Sequence, residues 1–235
     1  MNKTIVLNSS PAILFLHGLS LGTGTYISFI RRLTSLDRTI ILLDIPSASM
    51  RLHTEAFPMS IIVSSIRQLL HFLHQKSFTT ISHSYGTLIH SCLIKQFSDL
   101  IENQVTILID PVCFLLFDYR YLKNFVYRQP RSANQLLLHT SCTEDLYSIY
   151  AIERHLSWYE CNLWSEDIEG THLRIHVFFS EDDDIIPVAF VNEYLRKSQI
   201  NTTVFPKLKH AHFLISSGFQ EEVVKKVCEL ENQNA

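Results

Sequence analysis

Short runs of branched and aromatic residues recur along this chain, separated by longer stretches whose apolar residues fall three and four apart. The short runs are Ala12–Leu16, Thr39–Leu43, Phe78–Ile81, Val105–Ile109, Ile175–Phe179 and Asn201–Phe205. Each is the length of a buried strand and most are bounded by Gly, Pro, Asp or Ser. Between and after them the period changes. Apolar residues at 61, 62, 66, 69, 70 and 73 share one helical face, and Leu88, Ile89, Cys92, Leu93 and Phe97 share another. Val223, Val224, Val227 and Leu230 mark a closing helix over Gly218–Leu230. Strands alternating with helices predict the α/β class, with a mostly parallel central sheet flanked by helices.

The rhythm breaks between Pro111 and Gly170. No strand pattern is legible there, and 124–138 and 146–158 read as helical or mixed. Eleven of the 26 aromatic residues fall in this stretch, including both tryptophans, so a large aromatic surface needs somewhere to go. Residues 111–170 are therefore expected to form a helical, aromatic-rich cap inserted into a single domain spanning 1–235. The first ten residues, MNKTIVLNSS, hold only three consecutive apolar positions after Lys3, too few for a signal-peptide core, and read as the start of a strand.

Composition narrows the function classes. With 46% hydrophobic and 18% charged residues, the 235-residue chain has enough apolar material for one sizeable core. A net charge of −3 without a basic stripe excludes a nucleic-acid partner from the expectation, and no apolar run is long enough to span a membrane. The five cysteines are widely spaced and contain no C-x-x-C pair, which fits reduced thiols in a cytoplasmic protein. The twelve histidines form none of the short ligand spacings, so no metal or other cofactor is expected.

The chemistry-bearing residues gather just after predicted strands. Ser82-His83-Ser84-Tyr85-Gly86 lies between a strand and a helix. A tight turn there projects the Ser84 side chain above the sheet edge and places the Tyr85 N–H at a helix start, where it can stabilise an oxyanion. His17-Gly18-Leu19-Ser20 follows the first strand, and four of only six glycines (Gly18, Gly22, Gly24, Gly86) lie in these two loops. Four adjacent acids, Glu181 to Asp184, follow the fifth strand, and Asp110 ends the fourth. His210 and His212 follow the last strand.

Read together, in the order Ser, Asp, His, these motifs resemble the α/β-hydrolase superfamily over nearly the whole chain. Asp44-Ile45-Pro46, Ser49-Met50-Arg51, Asp110-Pro111-Val112-Cys113-Phe114, Asn124-Phe125-Val126-Tyr127-Arg128 and Asn162-Leu163-Trp164-Ser165-Glu166-Asp167 also resemble strings of a microbial branch with fungal members. The resemblance implies a Ser84–Asp183–His210 triad. Spacing from Pro187 selects Asp183, with Asp110 as the rival acid, and the family's His-x-x-Phe-Leu pattern selects His210 over His212. The backbone N–H groups of Tyr85 and Leu19, or Ser20, would form the oxyanion hole. Two positions depart from the family pattern, Ser82 and Ser180, each standing where glycine is usual.

The expected activity is hydrolysis of a small ester or thioester with an apolar acyl group, through an acyl-enzyme on Ser84. Phe114, Phe117, Trp158 and Trp164 are the expected substrate-binding residues of the cap, against the alternative that they only pack it onto the core. Arg120, Lys123, Arg128 and Arg131 read as a solvated helix face, with an anionic head group as the other use. A non-catalytic protein of this fold that binds a small ligand or partner, and an acyltransferase with the same triad, remain open. Oligomeric state is not legible.

Overall fold

The computed structural model describes residues 10–52, 55–75, 77–97 and 104–233, so the strand start read over the first ten residues lies almost entirely outside it. Six strands form one sheet: β1 (Ala12–Leu16), β2 (Ile40–Leu43), β3 (Phe78–His83), β4 (Val105–Ile109), β5 (Arg174–Ser180) and β6 (Asn201–Phe205). Their spatial order is β2-β1-β3-β4-β5-β6, and every neighbouring pair is parallel. The central strands β1, β3 and β4 are buried at every position, which is why they read as unbroken runs rather than alternating ones.

Alternate side chains go to opposite faces. Ala12, Leu14 and Leu16 meet α2 (Met59–Phe72) and α3 (Gly86–Gln96) in one core. Ile13 and Phe15 meet α1 (Ile27–Leu33) and the C-terminal helix Ser217–Asn232 in the other. The first core also takes Val188, Val191 and Leu195 of the helix Val188–Lys197. Both α1 and Val188–Lys197 carry no helical mark in the sequence reading. Each buries only two or three side chains, too few to stand out from the loops that precede them.

Between β4 and β5 every regular element among the described residues is helical. The longer ones are α4 (Ala133–Leu138) and α5 (Leu146–His155), capped by Ser132 on the Gln135 N–H and by Asp145 on the Ser148 N–H. With these placed, Val188–Lys197 is α6 and Ser217–Asn232 is α7. No helix of the described residues is long and apolar enough to cross a membrane. The C-terminal ends of β1, β3, β4, β5 and β6 all open on the same edge, and the loops leaving them carry the motif residues.

Candidate active site

β3 ends at His83, and Ser84 takes a left-handed backbone conformation with φ of 49° before α3 begins at Gly86. A serine held there costs of order 1 kcal/mol or more, so its surroundings must enforce it. The Ser84 N–H is bonded to the Ile109 carbonyl at 3.0 Å, and its own carbonyl accepts from the Thr87 N–H and hydroxyl. Gly86 is required by close approach: a Cβ there would lie 2.3 Å from the Leu16 carbonyl oxygen and 2.8 Å from that of His17. Ser82 fits because its hydroxyl turns under the bend to His90 Nδ1 at 2.8 Å.

The bend presents Ser84 Oγ to His210 Nε2 at 2.8 Å, and His210 Nδ1 lies 2.6 Å from Asp183 Oδ2. The other Asp183 oxygen accepts the N–H groups of Ile185 and Ile186 at 2.7 and 2.8 Å, which fixes the carboxylate plane. Burial pulls the His210 pKa down, but the adjacent Asp183 carboxylate, together with Asp110 and Asp184 nearby, outweighs it, and the net shift is upward from the ordinary 6.5. His212 instead opens the short turn His212–Leu214.

The acidic string divides its work. Glu181 accepts the Lys207 N–H, and Asp184 accepts from Asn134 Nδ2 and Gln135 Nε2 at 2.7 and 2.8 Å, tying α4 to the loop after β5. Asp110 makes no hydrogen bond to His210. It is fully buried and takes the Ser180 N–H at 2.7 Å and the Ser180 hydroxyl at 3.0 Å, which gives the second Gly-to-Ser departure a partner. Burial, then the nearby Asp183 charge, pushes its carboxyl up to about 7. Asp110, Asp183 and His210 are also the one set among the described residues with atoms close enough to share a metal ion, all within 4.8 Å. The closest of those atoms, on Asp183 and His210, already bond to each other.

The loop after β1 lies against this bend. His17 is buried, with Nδ1 on the Gly18 carbonyl and Nε2 accepting the Ile45 N–H. The Gly18 N–H goes to Tyr26 Oη at 2.8 Å and the Ser20 N–H to the Ala48 carbonyl at 3.2 Å. Among the described residues, no hydrogen bond takes the N–H of Leu19 or of Tyr85.

Above Ser84 and His210 opens a cleft of about 430 Å³. Its walls include Leu19, Leu21, Phe125, Leu137, Leu138 and Leu214, and among the described residues no lysine, arginine, aspartate or glutamate lines it. None of the four aromatics singled out from sequence does either. Phe114 is wholly buried in the core, Phe117 and Trp164 stack on each other at 5.7 Å, and Trp158 sits edge-on to Tyr159. They belong to the parts of 111–170 that leave β4 and return towards β5, whereas the residues of 111–170 that line the cleft are Phe125, Leu137, Leu138, Thr140, Ser141 and Cys142. Cys142 is a cleft residue that no sequence pattern marked. Of the basic residues, Arg120 pairs with Asp118 and lies over the Phe190 ring, and Arg128 approaches Asp184 at 3.9 Å.

No family model matches the chain, and no curated protein does. Solved structures match across nearly its whole length. A carboxylesterase structure from the thaumarchaeon Nitrososphaera gargenis superposes with a TM-score of 0.71 at 13% identity, over 97% of this chain and 93% of the other. A thermophilic esterase from Thermogutta terrifontis gives 0.72 at 12% identity, over 95% and 92%. The 2-hydroxy-6-oxo-6-phenylhexa-2,4-dienoate hydrolase of Rhodococcus sp. strain RHA1 gives 0.68 at 14% identity, over 94% and 91%. At these identities the likeness is one of fold.

Proposed function

The chain has the α/β-hydrolase fold, and from that premise we propose that it is a serine hydrolase acting on uncharged esters with an apolar acyl group. The observation that carries this reading is the unbroken chain from Ser84 Oγ through His210 to Asp183, at 2.8 and 2.6 Å, at the floor of an apolar cleft. Ser84 Oγ attacks the ester carbonyl as His210 Nε2 takes its proton. The C–O bond breaks, His210 returns the proton to the leaving alcohol, and Asp183 balances the imidazolium between the two steps. Water, deprotonated by His210, then attacks the acyl carbon, the bond to Ser84 Oγ breaks, and His210 returns the proton to Oγ as the acid leaves. The N–H groups of Leu19 and Tyr85 are the donors for the oxyanion, each contributing about 3 kcal/mol in comparable sites. The uncharged lining favours a neutral substrate, since a charged one would be desolvated there without a partner.

Two expectations follow for a panel of p-nitrophenyl esters. His210 must be neutral to act as a base, so kcat/KM rises with pH and reaches half its plateau above the ordinary histidine value of 6.5, because Asp183 holds the imidazolium. Asp183→Asn removes that charge, so the half-point of its residual activity moves to lower pH; an unmoved half-point contradicts the assignment of Asp183. Secondly, Leu138→Ala raises KM for a medium-chain ester by roughly tenfold, the scale of lost methylenes in an apolar pocket. Phe117→Ala and Trp164→Ala leave KM unchanged, since neither side chain reaches the cleft. Equal effects in all three variants would place the acyl group elsewhere.

A further inference from the structure

One buried tyrosine joins the two loops that carry the proposed oxyanion donors. Tyr26 is 2% exposed, packed edge-on against Phe15 and His83. Its hydroxyl oxygen accepts the Gly18 N–H at 2.8 Å and lies 2.7 Å from His83 Nδ1. Gly18 precedes Leu19, and His83 precedes Ser84 and Tyr85. The direction of the second bond follows from the surroundings. His83 Nε2 is buried, has no hydrogen-bond partner among the described residues and faces Asp110 Oδ2 at 3.9 Å. With Asp110 ionised and already accepting the Ser180 hydroxyl, a lone pair near its oxygen is repelled and an N–H attracted, which assigns the proton to Nε2 and leaves Nδ1 as the acceptor. The Tyr26 O–H therefore donates to His83 Nδ1. The chain runs Gly18 N–H to Tyr26 O–H to His83, and no proton of that hydroxyl is left for the cleft.

The fit around this chain is tight. A Cβ on Gly18 would lie 3.0 Å from His83 Nδ1, from Ser84 Cβ and from Tyr26 Oη alike, so the loop after β1 rests directly on the bend that holds Ser84. Burial keeps the His83 imidazole neutral, which suits an acceptor at Nδ1. Its ring also lies 5.8 Å from that of His210, so the strut borders the base as well as the nucleophile.

We propose that Tyr26 and His83 are positioning residues: their hydrogen-bonded strut sets the separation of the Leu19 and Tyr85 N–H groups, and so the fit of the oxyanion hole to the charge that develops in the transition state. This rests on the serine-hydrolase reading above. Both side chains border the floor of the cleft, but neither touches the reacting atoms in this role. The strut acts on a pair of donors that an ester in its ground state barely engages, so its loss lowers kcat rather than raising KM.

The test is steady-state ester hydrolysis by wild type, Tyr26→Phe, His83→Leu and His83→Asn. Wild-type turnover, abolished in Ser84→Ala, establishes the reading on which the strut depends; without it that reading fails first and the strut falls with it. Given wild-type turnover, Tyr26→Phe and His83→Leu are expected to lower kcat by about tenfold or more with KM within about twofold, a part of the loss seen when an oxyanion donor is deleted outright. His83→Asn keeps an acceptor near the Nδ1 position and is expected to recover most of the loss relative to His83→Leu. If Tyr26→Phe does not fold, the two His83 variants carry the comparison alone. A rise in KM at constant kcat, or equal kcat in His83→Leu and His83→Asn, overturns the proposal while leaving the hydrolase reading intact.

Discussion

Replacing Ser84 by alanine is expected to lower kcat for ester hydrolysis by about a million-fold, and His210→Ala by nearly as much. The two losses do not multiply. Ser84 Oγ and His210 Nε2 are 2.8 Å apart and act as one unit, so the double variant sits close to either single one. Asp183→Asn is expected to cost about ten-thousand-fold, because His210 then loses the acceptor 2.6 Å from its Nδ1. Asp110→Asn retains most of the activity, since Asp110 is bonded to Ser180 and not to His210. Purified variants assayed on one p-nitrophenyl ester, with urea midpoints to show that each is folded, check the series. A Ser84→Ala protein that turns over at the wild-type rate removes Ser84 from the chemistry. The opposite ranking of Asp183 and Asp110 moves the acid to the end of β4.

Gly86→Ala is expected to destabilise the protein by roughly 4 kcal/mol or more, or to prevent folding. The new methyl would meet the Leu16 carbonyl oxygen at 2.3 Å and its carbon at 2.7 Å, so the obstacle is backbone, and no rotamer change can clear it. Relief requires α3 to move away from β1, which separates the Ser84 bend from the Gly18–Leu19 loop. Gly24→Ala and Gly218→Ala are the controls, as a Cβ at either position meets nothing within 4 Å. Gly218 lies in the first turn of α7, where alanine adds up to about 1 kcal/mol of helix stability. Urea unfolding of the three variants reads this directly; a Gly86→Ala midpoint equal to that of Gly24→Ala would mean that the contact of α3 with β1 is looser than described.

The central strands were legible because their burial on both faces leaves an apolar run that nothing else in the chain imitates. β1 and β4 coincide with their sequence runs residue for residue, while β3 runs two residues further, through Ser82 and His83, because the ladder to β4 continues under the turn. The helices α1 and α6 were not legible. Phe29, Ile30 and Leu33 do share one helical face, but the helix is only seven residues long and follows a glycine-rich loop, and Val188, Val191 and Leu195 follow an acidic string and Pro187 that read as loop.

Within the site, motif spacing picks out Ser84, Asp183 and His210, and the fold brings these three side chains into a line. Spacing from Pro187 favours Asp183 and leaves Asp110 as a rival, whereas which carboxylate oxygen faces His210 is read only from the folded chain. The cleft wall was misread for a related reason. Aromatic content marks a segment as needing burial but not the direction in which each ring points, so Phe117 and Trp164 found each other while Leu137, Leu138 and Cys142 faced Ser84. Tyr26 and His83 lie 57 positions apart and belong to no pattern that links them; only the folded chain brings their polar atoms to 2.7 Å.

The central claim is that Ser84 is an activated nucleophile. Treating the folded protein with a fluorophosphonate and locating the adduct by peptide mass spectrometry tests it most directly. The account predicts one adduct, on Ser84, absent from Ser84→Ala and strongly slowed in His210→Ala. Folded wild-type protein that carries no adduct, or carries it on another residue, contradicts the account.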